Sequence, residues 1–202
     1  MFYVFDSNKS LSVNDIILVE DSFVEKTSLV YYDPKHLNGK SFTAIDFESA
    51  NRYPNSACAI GLVRVENNKI VKEKAFLIKP PSQTFEFTYI HRLRWEDVKN
   101  EQTFNSLWPS LQPFLSGVDF FVAHNSTYDE RVLRTCCKEA GIIRPKIPFL
   151  CTVKLARKVW KVFPTKLPDV AKFLDLTLQH HDALSDARAS ANIVLKSIEK
   201  ET

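Results

Sequence analysis

The sequence lacks the features that mark secreted, membrane-spanning or disulfide-linked proteins. Its four cysteines show no Cys-x-x-Cys spacing, and the adjacent Cys136 and Cys137 do not suit an ordinary disulfide framework. No signal-peptide pattern and no long apolar run is present. These absences predict a reduced, cytoplasmic protein without a membrane partner.

A phosphate-binding P-loop is also missing. Gly39-Lys40-Ser41 matches the end of such a loop, but the motif needs a glycine where this chain has Pro34, and a helix where a strand is expected. The net charge of +3 permits nucleic-acid binding without arguing for it. A chain of 202 residues, 45% hydrophobic and 25% charged, suits one globular domain with a short extension.

The order of apolar runs and turn residues predicts an α/β fold. Strands are expected at 42–48, 57–65 and 70–78, and their short links indicate an antiparallel meander. Further along the chain we expect a helical turn at 95–98, a strand at 118–123, and helices at 104–115, 126–140, 152–161, 168–174 and 183–199. This order predicts a mixed sheet flanked by helices.

The first 40 residues differ from the rest. Short apolar runs at 2–5, 16–19 and 29–32 are separated by polar turns, which predicts a small β-rich extension. It would serve either as an interaction arm or as additional packing, and packing is favoured because no chemistry is visible there. We therefore divide the chain into an N-terminal extension, 1–40, and a main domain, 41–202.

Two carboxylates stand two residues apart on the first strand of the main domain. Because side chains alternate along a strand, Asp46 and Glu48 share one face with Ala44, while Ile45 and Phe47 take the other. Two neighbouring acids among apolar residues repel each other, and a divalent metal between them would relieve the repulsion. A strand end with two solvated acids is the alternative.

Further acids occur where an α/β sheet gathers ligands, beyond the carboxyl ends of its strands. Asp129 falls in the first turn of a helix, so helix stabilisation is an alternative role. His181 is five residues from Asp186 and cannot share its helical face, which places His181 on the preceding loop with Asp182 as the cap. Asp186 lies beside the apolar stripe and would need a cation.

The complete pattern resembles the DnaQ-like 3′→5′ exonucleases of the DEDDh type, which include the proofreading epsilon subunit of DNA polymerase III. Three blocks carry the resemblance, namely 42–48 (FTAIDFE) with 59–63 (AIGLV), 123–129 (AHNSTYD) with Leu133, and 181–187 (HDALSDA). It covers residues 41–199. The chain departs from the family at 49–53 (SANRY) and at His91, which is followed by arginine instead of glycine.

The resemblance implies a fold, an activity and a set of roles. The fold would be a five-stranded mixed sheet of the ribonuclease H-like kind, and the activity hydrolysis of phosphodiester bonds at 3′ ends with release of nucleoside 5′-monophosphates. Asp46 would bridge two Mg²⁺ or Mn²⁺ ions. Glu48 and Asp186 would complete the site of the ion that holds the attacking water, and Asp129 would support the second. His181 would be the general base.

Five further residues are expected to contact the substrate. By the resemblance, main-chain groups at Glu48 and Ser49 would hold the terminal nucleotide, and His124 and Asn125 belong to the second motif block. Phe47 and Tyr128 lie beside the acids and would stack on terminal bases, with a core position as the alternative for each.

Several functions remain open at this point. The first is a DNA exonuclease in replication or repair, with single-stranded 3′ ends as substrate and a DNA polymerase or another replication or repair protein as partner. The second is an RNA or oligoribonucleotide exonuclease, since the preference turns on contact with one 2′-hydroxyl. The third is a non-catalytic, polymerase-associated nucleic-acid-binding module, which would require a lost ligand, whereas all five positions are intact.

Overall fold

Five strands form one mixed sheet at the centre of residues 33–201, the part of the chain that the computed structural model describes. The strands are β1 (Phe42–Ser49), β2 (Ala57–Glu66), β3 (Lys69–Leu77), β4 (Phe120–Ala123) and β5 (Phe149–Cys151). Their order across the sheet is β3-β2-β1-β4-β5. The first three pair antiparallel, as the predicted meander requires, and β1, β4 and β5 pair parallel.

Helices cover both faces of this sheet. They are α1 (Pro34–Leu37), α2 (Thr88–His91), α3 (Trp95–Val98), α4 (Phe104–Leu115), α5 (Thr127–Glu139), α6 (Thr152–Trp160), α7 (Leu167–Phe173) and α8 (Ala183–Glu201). Helices α1, α6, α7 and α8 pack together on one face, and α4 and α5 lie on the other. The central strands β1 and β4 are therefore buried from both sides.

The alternation along β1 separates two hydrophobic cores. Phe42 and Ala44 belong to the cluster under α8, whereas Ile45 and Phe47 belong to the cluster under α4 and α5. Asp46 and Glu48 continue the Phe42 face, as strand geometry predicts. The acidic pair consequently emerges beneath the N-terminal end of α8.

One local feature, strand β5, differs from the sequence-based expectations, whereas helix α4 agrees with them. Strand β5 is absent from the predicted elements, because three residues are too short to show an alternating pattern. Helix α4 matches its predicted bounds although Pro109 and Pro113 lie inside it. Its buried face, which includes Leu107 and Leu111, offsets the hydrogen bonds that the prolines cannot make.

The predicted β-rich extension lies largely outside the described residues, since its apolar runs fall within 1–32. The described end of that segment forms α1, in which Asp33 accepts a hydrogen bond from the Lys35 amide and Leu37 is fully buried in the core under α8. Within 33–201 no helix has the length and apolar character needed to cross a bilayer.

Candidate active site

Three elements bring four carboxylates together at one edge of the sheet. Asp46 and Glu48 stand on β1, Asp129 in the first turn of α5, and Asp186 in the first turn of α8. One oxygen from each of Asp46, Glu48 and Asp186 lies within 4.8 Å of the others. The loops that follow β1 and β4 meet here because these strands run parallel and adjacent.

Asp129 is held against β1. Its Oδ1 accepts a hydrogen bond of 3.0 Å from the main-chain N–H of Phe47, and its side chain is almost completely buried. The carboxylate therefore does more than stabilise the first turn of its own helix, which was the alternative role. It ties α5 to the strand that carries the acidic pair.

Burial raises the pKa of all four acids, and repulsion between carboxylates adds to it for Asp46, Glu48 and Asp129. Burial, reinforced by Asp186 and Asp129, raises the pKa of Glu48 to about 8. Burial raises the pKa of Asp129 to about 7 despite the hydrogen bond from Phe47. The pKa of Asp46 is raised by burial and then by the neighbouring carboxylates, and the pKa of Asp186 is raised chiefly by burial. Carboxylates in such a cluster readily bind a proton or a cation, because either one reduces the repulsion between them.

The donor set fits hard divalent cations. Among residues 33–201, Asp186 Oδ1 and Ser190 Oγ are the two buried side-chain polar atoms that lack a hydrogen-bond partner. An unpartnered carboxylate oxygen is costly unless something positive faces it. Because every donor in the Asp46, Glu48 and Asp186 group is a carboxylate oxygen, Mg²⁺ or Mn²⁺ suits the group better than a thiolate-preferring metal.

Two adjacent histidines border the acids from the α8 side. The main-chain N–H of His181 donates to Asp186 Oδ2 over 3.2 Å, and Nδ1 of His180 lies 2.9 Å from the same oxygen. The two rings stack with centroids 3.8 Å apart. His181 lies on the loop before the helix, as predicted, with φ at +68°. The contact of His180 with Asp186 was missed by the sequence analysis, which considered only spacing.

The position of α8 depends on a close approach to β2. Gly61 pairs with Asp46 across the sheet, and a methyl group at Gly61 would overlap the carbonyl of Ala183 at the start of the helix. Asp182 caps the helix by accepting from the Ser185 amide over 2.8 Å. The absence of a side chain at Gly61 therefore allows Asp186 to reach Asp46.

A cavity of about 330 Å³ opens beside the acids on the β1 side. Ser49 stands in its wall, where the Tyr128 hydroxyl donates to Ser49 Oγ over 2.8 Å. Because His91 Nδ1 accepts from the Leu93 amide, its Nε2–H donates to the Ser49 carbonyl over 3.0 Å. His91 is buried and was not among the expected site residues, although it marks the position where the chain departs from the family's His-Gly pair.

The remaining expected contact residues take different positions. The Phe47 side chain is 3% exposed and packs in the core under α4 and α5, so its expected stacking on a base is not supported and the core alternative applies. Strand alternation points its ring away from Asp46. Asn125 is exposed at φ +65° and borders the acids.

The His124 side chain forms hydrogen bonds with other residues of the protein. Its Nε2–H donates to the Thr165 carbonyl over 3.0 Å, and its Nδ1 lies 2.8 Å from the Thr152 hydroxyl. Burial lowers the pKa of His124 to about 4, so the ring is neutral near pH 7. Both nitrogens are therefore occupied within the protein, which leaves neither of them free to bind a substrate.

Sequence comparison relates the chain to known nucleases. The exonuclease family model RNase_T matches residues 43–194. The PolC-type DNA polymerase III of Thermotoga petrophila is 29% identical over 205 residues, which cover 98% of this chain and 15% of the polymerase. The 3′-5′ exonuclease DinG of Bacillus subtilis is 31% identical over 173 residues, covering 81% of this chain and 18% of that protein. The chain thus spans less than a fifth of these relatives.

Structural comparison shows the same fold in solved exonucleases. The nuclease domain of 3′hExo, a DEDDh family member bound to rAMP, superposes with a TM-score of 0.69 at 16% identity, covering 80% of this chain and 92% of that one. Exonuclease X in complex with 5′ overhanging duplex DNA gives a TM-score of 0.63 at 23% identity, covering 79% and 92%. These similarities confirm the ribonuclease H-like sheet.

Proposed function

The chain belongs to the DnaQ-like exonuclease family, and from this premise we propose that it is a metal-dependent 3′→5′ exonuclease of the DEDDh type that acts on DNA. The observation that carries the proposal is the convergence of three buried carboxylates and the half-buried Asp46, a cluster in which Asp186 Oδ1 has no hydrogen-bond partner. Such a cluster lowers the stability of the fold, and carboxylates with strongly raised pKa values are concentrated at functional sites.

The carboxylates would hold two divalent cations. We assign Asp46, Glu48 and Asp186 to one ion because their oxygens lie within 4.8 Å of one another, and Asp129 with Asp46 to the second. When bound, the two cations would stabilise the attacking and leaving oxygens of the phosphodiester. Asp129 has one oxygen committed to the Phe47 amide, so only its other oxygen is available directly.

His181 is the proposed general base. Partial burial and the neighbouring His180 lower the pKa of His181, which keeps the ring neutral and able to accept a proton near pH 7. His180 is less suited to this role because its Nδ1 is already within hydrogen-bond distance of Asp186. The ring of His181 is exposed on a loop, where it can approach the water that attacks the phosphate.

The terminal nucleotide would occupy the cavity beside β1. Its wall includes Ser49, His91 and Tyr128, which are linked by hydrogen bonds into one rigid surface. The exposed part of the Tyr128 ring and the main chain around Glu48 and Ser49 face this space. Cleavage here would release a nucleoside 5′-monophosphate, with the new 3′ end left on the remaining strand.

DNA is the preferred substrate class because the matching sequence relatives are described as DNA polymerases and a 3′-5′ exonuclease. By the same reasoning, we propose a polymerase or another replication or repair protein as partner, in the cytoplasm. An RNA substrate is the second candidate, since 3′hExo was solved with rAMP. The division into an extension, 1–40, and an exonuclease domain, 41–202, is proposed as well, and the family match beginning at residue 43 supports it.

Matched single-stranded DNA and RNA oligomers labelled at the 5′ end test the proposal. With Mg²⁺ or Mn²⁺ we expect a ladder that shortens from the 3′ end, is faster on DNA, and disappears with EDTA or in Asp46→Ala. Loss of the several kcal/mol that the cation supplies corresponds to a rate decrease of about a thousandfold or more.

The matched control is Asp175→Asn, which changes an exposed acid on a turn away from the site and should leave the ladder unchanged. Cleavage of neither oligomer under Mn²⁺, together with tight single-strand binding, would replace the enzyme with the non-catalytic binding module. A ladder that persists in Asp46→Ala would refute the assigned site.

A further inference from the structure

A second and larger cavity, of about 560 Å³, adjoins the acids next to the proposed terminal-nucleotide cavity. Asp46 and Asp186 border both cavities, so the two spaces meet at the carboxylates. The outer wall of the larger cavity comes from α6 and the loop after it, and it includes Arg157, Phe163 and Lys166. None of these three residues has a role in the function proposed above.

His124, which follows β4, connects this wall to the end of the sheet where the acids lie. The imidazole lies within hydrogen-bond distance of the Thr152 hydroxyl at the start of α6 and of the Thr165 carbonyl beyond its end. Thr165 in turn positions Arg157, whose Nε–H donates to Thr165 Oγ1 over 2.9 Å. Two ends of one segment are thereby held to the strand end that precedes α5, and the guanidinium is held at the cavity wall.

The segment is strongly basic. Residues 152–172 contain six lysines and arginines and one aspartate, a net charge of +5, whereas the whole chain carries +3. Arg157 and Lys166 are exposed where they line the cavity. A cationic wall next to a cluster of metal-binding acids is suited to a polyanion that crosses from one to the other.

An exposed aromatic ring completes the wall. Phe163 lines the cavity with 84% of its surface accessible, although a large apolar side chain is normally buried. Aromatic rings beside cationic groups are a common platform for unpaired bases, since every base presents a stacking face. The other strongly exposed phenylalanine of the described chain, Phe173, does not line this cavity.

We propose that this cavity is a second nucleotide subsite, in which Phe163 stacks on the base on the 5′ side of the scissile phosphodiester while Arg157 and Lys166 bind its backbone phosphates. The assignment rests on the proposed exonuclease function. Phe163, Arg157 and Lys166 are positioning residues, because they hold the strand across the carboxylates and do not touch the reacting atoms.

Two substrates separate this subsite from the chemistry. One is a 5′-labelled single-stranded DNA oligomer, and the other is the p-nitrophenyl ester of thymidine 5′-monophosphate, which has no upstream nucleotide. Loss of one stacked base corresponds to about a fivefold or larger effect. We expect Phe163→Ala to raise KM for the oligomer by at least that factor and to leave turnover of the ester unchanged.

Matched controls are available on the same elements. Phe173→Ala removes an exposed ring outside the cavity, and Lys158→Gln removes an exposed charge from the helix that carries Arg157 without altering the wall. We expect both controls to retain the KM of the unmodified protein. Arg157→Gln should raise KM for the oligomer and reduce the salt dependence of binding.

The outcomes distinguish the two levels of the proposal. If the unmodified protein cleaves neither substrate, the exonuclease function fails. If it cleaves both, and Phe163→Ala changes neither or both equally, the subsite assignment fails while the function stands. Cleavage of an oligomer with an abasic site at the penultimate position supplies the cross-check, because the effect of Phe163→Ala should vanish on it.

Binding gives a readout independent of turnover. In an Asp46→Asn background, fluorescence anisotropy of a labelled DNA oligomer should show weaker binding on introducing Phe163→Ala and no change on introducing Phe173→Ala. Equal affinities for these two proteins would overturn the stacking role. If Phe163 instead contacts a partner protein, its removal will leave both binding and KM for the oligomer intact.

Discussion

The two sides of the carboxylate cluster are built in different ways. On the side of β1 and α5, the acids lie on buried elements, and Asp129 is tied directly to the main chain of Phe47. On the side of α8, the site depends on one close approach at Gly61 and ends in two exposed histidines on a loop. The β1 and α5 side therefore holds its carboxylates in fixed positions, whereas the α8 side carries the exposed ring of His181, the proposed general base.

The two sides of the cluster are expected to contribute differently to folding stability and to turnover. Carboxylates among apolar residues are unfavourable when ionised, so the packing of the two hydrophobic cores must hold in place the strands and helices that carry them. His180 and His181 are exposed and belong to neither hydrophobic core. We therefore expect changes to the first side to affect cation binding and stability, and changes to the second to affect turnover.

The largest expected effect is on turnover when the α8 side loses its proposed general base. His181→Ala should lower kcat by about 10²- to 10⁴-fold, the usual contribution of a general base, with binding of Mn²⁺ unchanged. Single-turnover cleavage and isothermal titration with Mn²⁺ measure the two quantities. His180→Ala is the comparison variant, for which we expect the smaller loss of kcat. Loss of Mn²⁺ binding in His181→Ala would contradict the division between the two sides.

A smaller effect should follow from separating the two sides. Gly61→Ala forces the start of α8 away from β2, because the new methyl group would overlap the Ala183 carbonyl. We expect a stability loss of about 1–3 kcal/mol, as for other overpacked sites, together with weaker Mn²⁺ binding as Asp186 moves away from Asp46. Thermal unfolding and Mn²⁺ titration check both.

The matched control for that prediction is Gly141→Ala. Gly141 has φ at +66° but no atom near its missing side chain, so the change costs backbone strain alone, about 1–2 kcal/mol. Mn²⁺ binding and cleavage should be retained. If Gly61→Ala binds Mn²⁺ as well as Gly141→Ala does, the close approach at Gly61 is not what positions Asp186.

The last expected effect is the pH dependence of folding stability that the acids on the β1 and α5 side cause when no metal is added. Because the folded pKa of Glu48 is raised to about 8 from an ordinary value of 4.5, the unfolded chain releases this proton at lower pH than the folded one. Stability is therefore greatest below pH 4.5 as far as this group is concerned, and it is lost as pH rises towards 8. The raised pKa values of Asp46, Asp129 and Asp186 act in the same direction.

Melting temperatures between pH 5 and pH 8 in EDTA measure this dependence. We expect them to fall with rising pH, by an amount corresponding to at most a few kcal/mol, and Mn²⁺ to remove the fall by binding the folded state. Glu48→Gln should flatten the profile because glutamine has no proton to release. A profile that is unchanged in Glu48→Gln would show that its carboxyl is not buried among the other acids.

The features that the sequence predicted are local ones. Alternation along β1 places Asp46 and Glu48 on one face, and the five-residue spacing places His181 on the loop before the helix of Asp186. Each pattern spans only a few residues, so short-range geometry is sufficient to derive it. The predicted bounds of α4 agree with the structure for the same reason.

The features that sequence reasoning missed involve residues far apart in the chain. The support that Thr165 receives from His124 spans 41 residues, and the support that Ser49 receives from His91 spans 42. The requirement for glycine at position 61 comes from Ala183, which no local pattern connects to it. Alternation places Phe47 on the face opposite Asp46, but only the packing of distant helices shows that this face is covered by a core.

The sequence by itself determined which residues are candidates for the chemistry and on which local elements they stand, because strand and helix periods act over a few residues. Only the tertiary structure decided that Asp46, Asp129 and Asp186 meet, since this depends on β4 pairing parallel with β1 and on α8 crossing the sheet at Gly61. Those contacts form because they bury the apolar faces of distant segments together, and this packing is a property of the whole chain.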